Sequence, residues 1–374
     1  RKTGKKIAVV LSCGCAVELT GLDEKADALL YASLSGEAGG EAIAEILCGK
    51  AVPSGKLAET FPLSYDDVPS RKYYPGREAT AEYREGPYVG YRYYASKGIK
   101  VRYPFGFGLS YTHFDYSDLH VGKEGVTFRL KNVGTYAGKE ISQLYVSLPT
   151  AGVFRPYEEL KGFAKTALNP GEEKEVSIPF DDKTFRYYNQ KTGRWEAEKG
   201  DYRIIIGSSS ADVRLEAPYR IEGTGAPLPY DKSLMPHYYA ADVANVPDAE
   251  FARLLGHSIP PSAFSRVKRN RIVITSNTTM RDLVYAKGWT GRFFGHAVSF
   301  LIKFLRFIGA RPTSNMLIMG VYNQTVKTIS RMTNGAISWA QLEGLITMFN
   351  GHFFQGPGQI FKAGRSKRGV QNSQ

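Results

Sequence analysis

From about residue 114 to residue 223 the chain alternates polar and apolar side chains with a period of two. Val126-Thr127-Phe128-Arg129-Leu130-Lys131 is the cleanest case, and Asn132-Val133-Gly134 ends it. Further strand candidates are 140–148, 157–166, 173–180, 184–188, 201–207 and 213–221, and glycine or proline turns separate most of them. Period two places successive side chains on opposite faces of a strand, so one face can be buried while the other stays wet. Seven short strands within roughly 100 residues predict an antiparallel sandwich of two sheets.

Upstream the pattern is different. Lys6-Ile7-Ala8-Val9-Val10-Leu11-Ser12 is a short apolar run ending in small residues, and Ala26 to Ser33 is a second. Continuous runs of this length read as strands of a buried α/β sheet. Gly36, Gly39 and Gly40 lead into Glu41-Ala42-Ile43-Ala44-Glu45-Ile46-Leu47-Cys48, where positions 42, 43, 46 and 47 share one helical face. Glu41 falls in the first turn, where the helix dipole favours an anion. Gly49 stops the helix, Pro53 and Gly55 turn the chain, and Lys56 to Phe61 is extended again. Strand, glycine turn, helix and strand together predict part of an α/β domain.

Ten tyrosines lie between Tyr65 and Tyr111, among many glycines and prolines. Pro104-Phe105-Gly106-Phe107-Gly108 is too rich in glycine for a regular element. An ordered loop region packed through aromatic rings is expected here, with Tyr91 and Tyr93 set against Tyr94 as on a strand. Pro227, Pro229 and Pro236 make 224–236 a linker. Beyond it helices are expected at 249–255 with Asp248 as cap, at 279–287, at 292–308 and at 338–349, the last stopped by Asn350-Gly351. Residues 363–374 are basic and polar and are expected to fray. The fold class is therefore multi-domain: a partial α/β sandwich domain (1–113), an all-β sandwich (114–223), and a linker with a mostly α-helical basic tail (224–374).

The formal net charge of +13 sits almost wholly in the tail. Residues 231–374 hold 18 Lys and Arg against 6 Asp and Glu, whereas residues 1–230 hold 31 against 30. Such asymmetry can serve nucleic acid or anionic lipid, but a basic surface that keeps a domain soluble or faces an acidic neighbour is the preferred reading, and no nucleic-acid partner is expected. Phe293 to Ile308 is the most apolar part of the tail, too short and, with Lys303 and Arg306, too charged to span a bilayer. Phe294, Val298, Leu301, Leu305 and Ile308 could share a face; packing on the chain's own core is preferred over contact with a membrane surface. Cys13, Cys15 and Cys48 do not make a disulfide framework, and Cys48 is expected to be buried. A reducing, cytoplasmic setting is expected. The opening Arg1-Lys2-Thr3-Gly4 shows no signal peptide and reads as the middle of a larger protein.

Four ordered segments carry a more specific signal. They are Gly36-Glu37-Ala38-Gly39-Gly40-Glu41-Ala42-Ile43-Ala44-Glu45-Ile46-Leu47; Pro53-Ser54-Gly55-Lys56-Leu57-Ala58-Glu59-Thr60-Phe61-Pro62; Glu85-Gly86-Pro87-Tyr88-Val89-Gly90-Tyr91-Arg92-Tyr93-Tyr94; and Tyr103-Pro104-Phe105-Gly106-Phe107-Gly108-Leu109-Ser110-Tyr111. Their order and spacing resemble the end of the second domain of family 3 glycoside hydrolases of the β-glucosidase type. Residues 114–223 resemble the fibronectin type III-like domain that follows it in many members, and Asp231 to Gly256 is similar to an extension of clostridial-type members.

The resemblance implies a retaining β-glycosidase acting on a β-linked glycoside or oligosaccharide, with no cofactor. Retention uses a carboxylate nucleophile and a carboxyl acid/base about 5–5.5 Å apart. In the family the nucleophile is an aspartate of a (β/α)8 barrel in a Ser-Asp-Trp-like motif, and that tripeptide does not occur here. The family's acid/base glutamate precedes the stretch that matches residues 6–12. Catalytic residues are therefore expected upstream of residue 1, in a barrel-bearing part. Among the carboxylates present, Glu37, Glu41, Glu59 and Glu85 read first as structural, and Glu85 is the first choice for a supporting role that orients a loop. Tyr83, Tyr88, Tyr91, Tyr93 and Tyr94 could offer a sugar platform, Tyr88 and Tyr91 foremost, with aromatic core packing as the competing reading. Six scattered histidines lack metal-ligand spacing, so no metal is expected, and no Gly-x-Ser-x-Gly elbow supports serine chemistry. A different class also fits: a non-catalytic β-sandwich module whose basic amphipathic tail associates with a membrane or an acidic partner.

Overall fold

The computed structural model describes residues 4–76, 80–260, 272–334 and 336–371. They form two compact units, the first closing at Pro260. In the first, β1 (Ala8–Leu11) and β2 (Ala28–Tyr31) pair in parallel, Ala8 opposite Ala28 and Leu11 opposite Tyr31. Helix α1 (Gly39–Leu47) follows, with Glu41 in its first turn. This is the expected α/β start, although no residue of either strand is fully buried. Cys48 caps α1 and is exposed, contrary to the buried position expected for it, because the apolar side of this helix is itself only half covered. β3 is only Phe61–Pro62 and pairs antiparallel with β4 (Val101–Tyr103).

The sandwich has one sheet of β5 (Phe114–Val121), β6 (Gly125–Asn132) and β9 (Glu173–Pro179), in the order β5-β6-β9. The other contains β7 (Gly138–Ser147), β8 (Glu159–Leu168), β12 (Gly200–Ser209) and β13 (Asp212–Ile221), in the order β13-β12-β7-β8. A hairpin of β10 (Arg186–Asn189) and β11 (Arg194–Ala197) stands beside them; neither β11 nor β5 is among the strands expected from the sequence. Val126, Phe128 and Leu130 of β6 meet Leu144 and Val146 of β7 and Ile204 and Ile206 of β12 in the core. β7 and β12 are buried on both faces, since Tyr145 and Ile205 point outward into a second cluster with Tyr91, Phe105 and Leu160. That double coverage explains why Leu144-Tyr145-Val146 and Ile204-Ile205-Ile206 interrupt the alternation with continuous apolar stretches.

The tyrosine-rich segment holds a correction. Residues 91–94 are not a strand but the start of helix α2 (Tyr91–Lys97). Gly90, at φ +58°, turns the chain into this helix from a conformation that side-chain-bearing residues rarely adopt. Tyr91 and Tyr94, three residues apart, then fall on the same side. Helices α3 (Pro236–Tyr239) and α4 (Asp248–Leu255) belong to this first unit, where Met235, Tyr238, Val243, Val246 and Phe251 pack with Tyr88, Tyr93 and Tyr94. Pro247, not Asp248, occupies the cap of α4; Asp248 is the first helical residue and its carboxylate is turned to Arg84 instead.

The second unit surrounds a core of Ile274, Met280, Leu283, Ala286, Val326, Leu342 and Phe349. The short helix expected at 279–287 is a 3-10 helix over Met280–Tyr285. A helix spans Trp289–Phe307, another Arg311–Leu317, and Trp339–Phe349 begins at a capping box made by Ser338 and Gln341. Of the residues expected to fray, 363–371 instead belong to a helix over Gln355–Gln371, and 372–374 lie outside the described residues. The long helix buries Gly291, Gly295 and Ile302, and leaves Phe294, Leu301 and Ile308 exposed. The face expected to pack inward is therefore not the one that does. At Gly295 a β-carbon would lie 2.5 Å from the backbone nitrogen of Val284, so glycine sets where the helix comes closest to its neighbours.

Candidate functional site

A cleft of about 650 Å³ opens in the first unit. Its walls come from Ala16–Glu18 after β1, Ala58–Thr60 before β3, Tyr65–Ser70, the Glu85–Gly90 loop with α2, and Phe105 with Leu160. Three remote stretches meet here because the sandwich holds two of them. The Tyr91 hydroxyl accepts the Leu160 amide of β8 at 2.7 Å, and its ring stacks on Phe105 at 4.7 Å and meets Tyr145 edge-on at 5.9 Å. The Phe105 carbonyl accepts the Ser210 amide, the Gly106 amide donates to the Leu57 carbonyl, and the Leu57 amide donates to the Phe107 carbonyl. Gln143 Nε2 donates to the carbonyls of Gly106 and Ser208 at 3.1 and 2.8 Å.

Arg84 fixes the other end of the Glu85–Gly90 loop. Its guanidinium donates to Glu82, to the Val246 carbonyl and to Asp248, and lies over the rings of Tyr73 and Phe251. Burial works against this charge, but Asp248 and Glu82 outweigh it and hold the group firmly protonated. The Arg84 carbonyl accepts the Tyr238 hydroxyl, and the Tyr88 hydroxyl donates to the Tyr238 carbonyl at 2.7 Å.

The expected site residues part company here. Tyr91 lines the cleft, 7% exposed, and burial raises its pKa. Tyr94 also lines it. Tyr88 is 1% exposed in the neighbouring core, and burial raises its pKa too, so neither ring face is open to a sugar. Its neighbours Tyr238 and Phe154 compete for the same apolar space, which local sequence does not reveal. Tyr93 is buried and Tyr83 exposed; neither lines the cleft. The platform expected from five tyrosines therefore reduces to the edges of Tyr91 and Tyr94. Glu59 and Glu85 line the cleft, Glu59 accepting the Tyr31 hydroxyl at 3.4 Å. Glu37 and Glu41 are exposed and lie outside it.

Sequence reasoning missed Glu18, Thr60 and Arg92, all in the wall. Glu18 accepts the Tyr65 amide, and the Arg92 guanidinium lies over the Tyr91 ring at 5.4 Å. Thr60 Oγ1, Glu85 Oε2 and Arg92 Nε are buried and have no hydrogen-bond partner among the described residues. Buried polar atoms are normally paired, so three orphaned ones in residues that border a single cleft mark a wall that is incomplete within the described residues. Among the described residues no group of three or more His, Cys, Asp or Glu is placed to hold a metal.

Comparison with known proteins assigns the two halves of this unit. The family model for the glycosyl hydrolase family 3 C-terminal domain matches residues 1–111, and that for the fibronectin type III-like domain matches 140–210. Thermostable beta-glucosidase B of Acetivibrio thermocellus is 48% identical over 226 residues, 58% of this chain and 30% of the relative. Exo-alpha-(1->6)-L-arabinopyranosidase of Bifidobacterium breve is 36% identical over 287 residues, 74% of this chain and 38% of the relative. The crystal structure of a GH3 beta-glucosidase from Bifidobacterium adolescentis superposes with a TM-score of 0.57 at 38% identity, covering 67% of this chain and 37% of that one. Beta-glucosidase 3B of Thermotoga neapolitana in complex with glucose gives 0.55 at 38% identity, over 60% and 32%. The chain thus spans about a third of the length of the relatives it matches.

Proposed function

The chain belongs to glycoside hydrolase family 3, and from that premise we propose that it forms one wall of the active site of a retaining β-glycosidase. The carboxylates that react with the sugar lie upstream of these residues, the nucleophile on a (β/α)8 barrel and the acid/base on the preceding segment of the α/β domain. The single observation that supports the wall reading is the convergence of Thr60, Glu85 and Arg92, each with an unpaired buried polar atom, on one cleft. Buried polar atoms are normally paired, so the partners of these three are expected from the part of the active site that completes this wall. Held by Arg84 behind and by Tyr91 in front, the Glu85 loop is fixed before substrate arrives, which spares the cost of ordering it on binding. Glu85 and Arg92 act here by orienting substrate; the protons and the glycosyl bond are handled elsewhere. The sandwich braces the wall through the outer face of its four-stranded sheet.

β-Glucosides are the first substrate class, and α-L-arabinopyranosides the second, because relatives of both names align with this chain. The test is reconstitution. The purified chain alone, and mixed with the part of the Acetivibrio thermocellus relative that precedes the matched residues, is assayed on aryl β-glucoside and aryl α-L-arabinopyranoside. We expect no turnover alone, turnover in the mixture, and a raised KM with Arg92→Ala. Turnover by the chain alone would refute the placement of the reacting carboxylates. An active mixture indifferent to Arg92→Ala and Thr60→Val would refute the wall.

A further inference from the structure

The helix Trp289–Phe307 of the second unit has two unlike faces. Gly291, Gly295 and Ile302, at positions i, i+4 and i+11, form the buried one. Phe293, Ala297, Phe300, Phe304 and Phe307, at i, i+4, i+7, i+11 and i+14, form a stripe on the opposite side. That stripe is in water: Phe293 is 70% exposed, Phe300 69% and Phe307 89%. Phe300 and Phe304 stack on each other rather than on any core residue. Monomeric proteins rarely leave a contiguous aromatic stripe of this length uncovered.

Charge says what covers it. Between Asp282 and Glu343 the sequence holds seven Lys and Arg and no acidic residue. On the helix itself Lys303 and Arg306 are exposed along one flank of the stripe and have no acidic partner among the described residues. A protein surface meeting this face would have to be apolar and acidic at once along a strip one helix wide. An anionic bilayer surface has that composition everywhere, with acyl chains below a layer of negative headgroups. No described helix is long and apolar enough to cross a membrane, which fits a helix that lies in the surface. We propose that this helix docks the protein on anionic lipid, with its phenylalanines among the acyl chains. Lys303 and Arg306 extend their stems along the boundary and leave their charges at the headgroups. This assignment is independent of the glycosidase reading.

The experiment is co-sedimentation of the purified 374-residue chain with vesicles of phosphatidylcholine alone and of phosphatidylcholine mixed with phosphatidylserine, at low and at physiological salt. Binding to the mixed vesicles, weakened by salt, is expected. Phe300→Asp with Phe304→Asp should lower the partition coefficient by about tenfold or more, because two rings leave the acyl region. Lys303→Glu with Arg306→Glu should lower it by about tenfold on mixed vesicles and little on phosphatidylcholine alone. Both pairs are exposed, and circular dichroism matching the parent chain verifies that the fold is kept. Absence of binding to mixed vesicles at low salt overturns the proposal. Binding that survives the phenylalanine changes overturns it also. A dimer in solution that the phenylalanine changes dissolve, without vesicle binding, would give the stripe to a second copy instead.

Discussion

Lys56 Nζ lies 3.0 Å from Glu140 Oε1, and the two side chains are 10% and 6% exposed. The pair ties the family 3 segment to β7 of the sandwich, and each partner has a second contact: Lys56 donates to the Gly108 carbonyl, and Glu140 accepts the Tyr116 hydroxyl. Lys56→Met strands a carboxylate with too few donors and should cost about 3–5 kcal/mol. Adding Glu140→Leu should return most of that loss, because the costly object is the unpaired charge. Urea unfolding of the two single variants and the double variant measures the coupling; equal losses in all three would show that packing, not charge, is at stake.

Glu158 and Glu159 are adjacent yet electrostatically opposite. Burial pushes Glu158 up to about 7, countered only by Arg203, and its Oε1 has no hydrogen-bond partner among the described residues. Glu159 is half-buried, and Lys161 and Arg155 outweigh that burial and hold it below the ordinary range. The folded state therefore keeps Glu158 protonated at a pH where the unfolded chain has lost that proton. Its contribution to stability falls as pH rises from about 4.5 to about 7 and is level beyond, a total of about 3 kcal/mol. Glu158→Gln should remove that slope and be the more stable form at pH 8. Denaturant titrations at several pH values follow it, and parallel curves for parent and variant would contradict the assignment.

Tyr91→Phe keeps both ring contacts but leaves the Leu160 amide without its acceptor. The expected cost is about 1–3 kcal/mol. Hydrogen exchange across β8 reports it locally: the Leu160 amide should exchange faster, while β6 in the other sheet is unchanged.

Arg84→Met keeps bulk over Tyr73 and Phe251 but removes the bonds to Glu82, Asp248 and the Val246 carbonyl. A loss of about 3 kcal/mol or more is expected, with faster limited proteolysis between residues 224 and 260. Unchanged cleavage there would separate Arg84 from the docking of that segment.

The parallel pair, the glycine-led helix and most of the sandwich strands were legible because their signals are local: periodicity of two, apolar runs and turn residues. α2 was not. Tyr91-Arg92-Tyr93-Tyr94 has a strand's composition, and only the positive φ of Gly90, together with a partner surface made by Tyr145 and Ile205, makes it a helix. The cleft was half legible. Glu85 and Tyr91 stand out in their motif, whereas Thr60 and Arg92 matter through atoms left unpaired in three dimensions, which no spacing rule encodes. Tyr88 shows the converse, a motif residue whose partner Tyr238 lies 150 positions away.

The outer face of the four-stranded sheet also bears on how the chain can be cut. Tyr145 and Ile205 sit in a shared cluster with Tyr91 and Phe105, so the junction near residue 113 separates two sequence families without separating two cores. Excising the sandwich would peel the floor from beneath α2 and expose apolar surface on both pieces. Anyone trimming this protein for expression, or grafting its sandwich onto another enzyme, is dealing with a graft that has to carry its neighbour's roots.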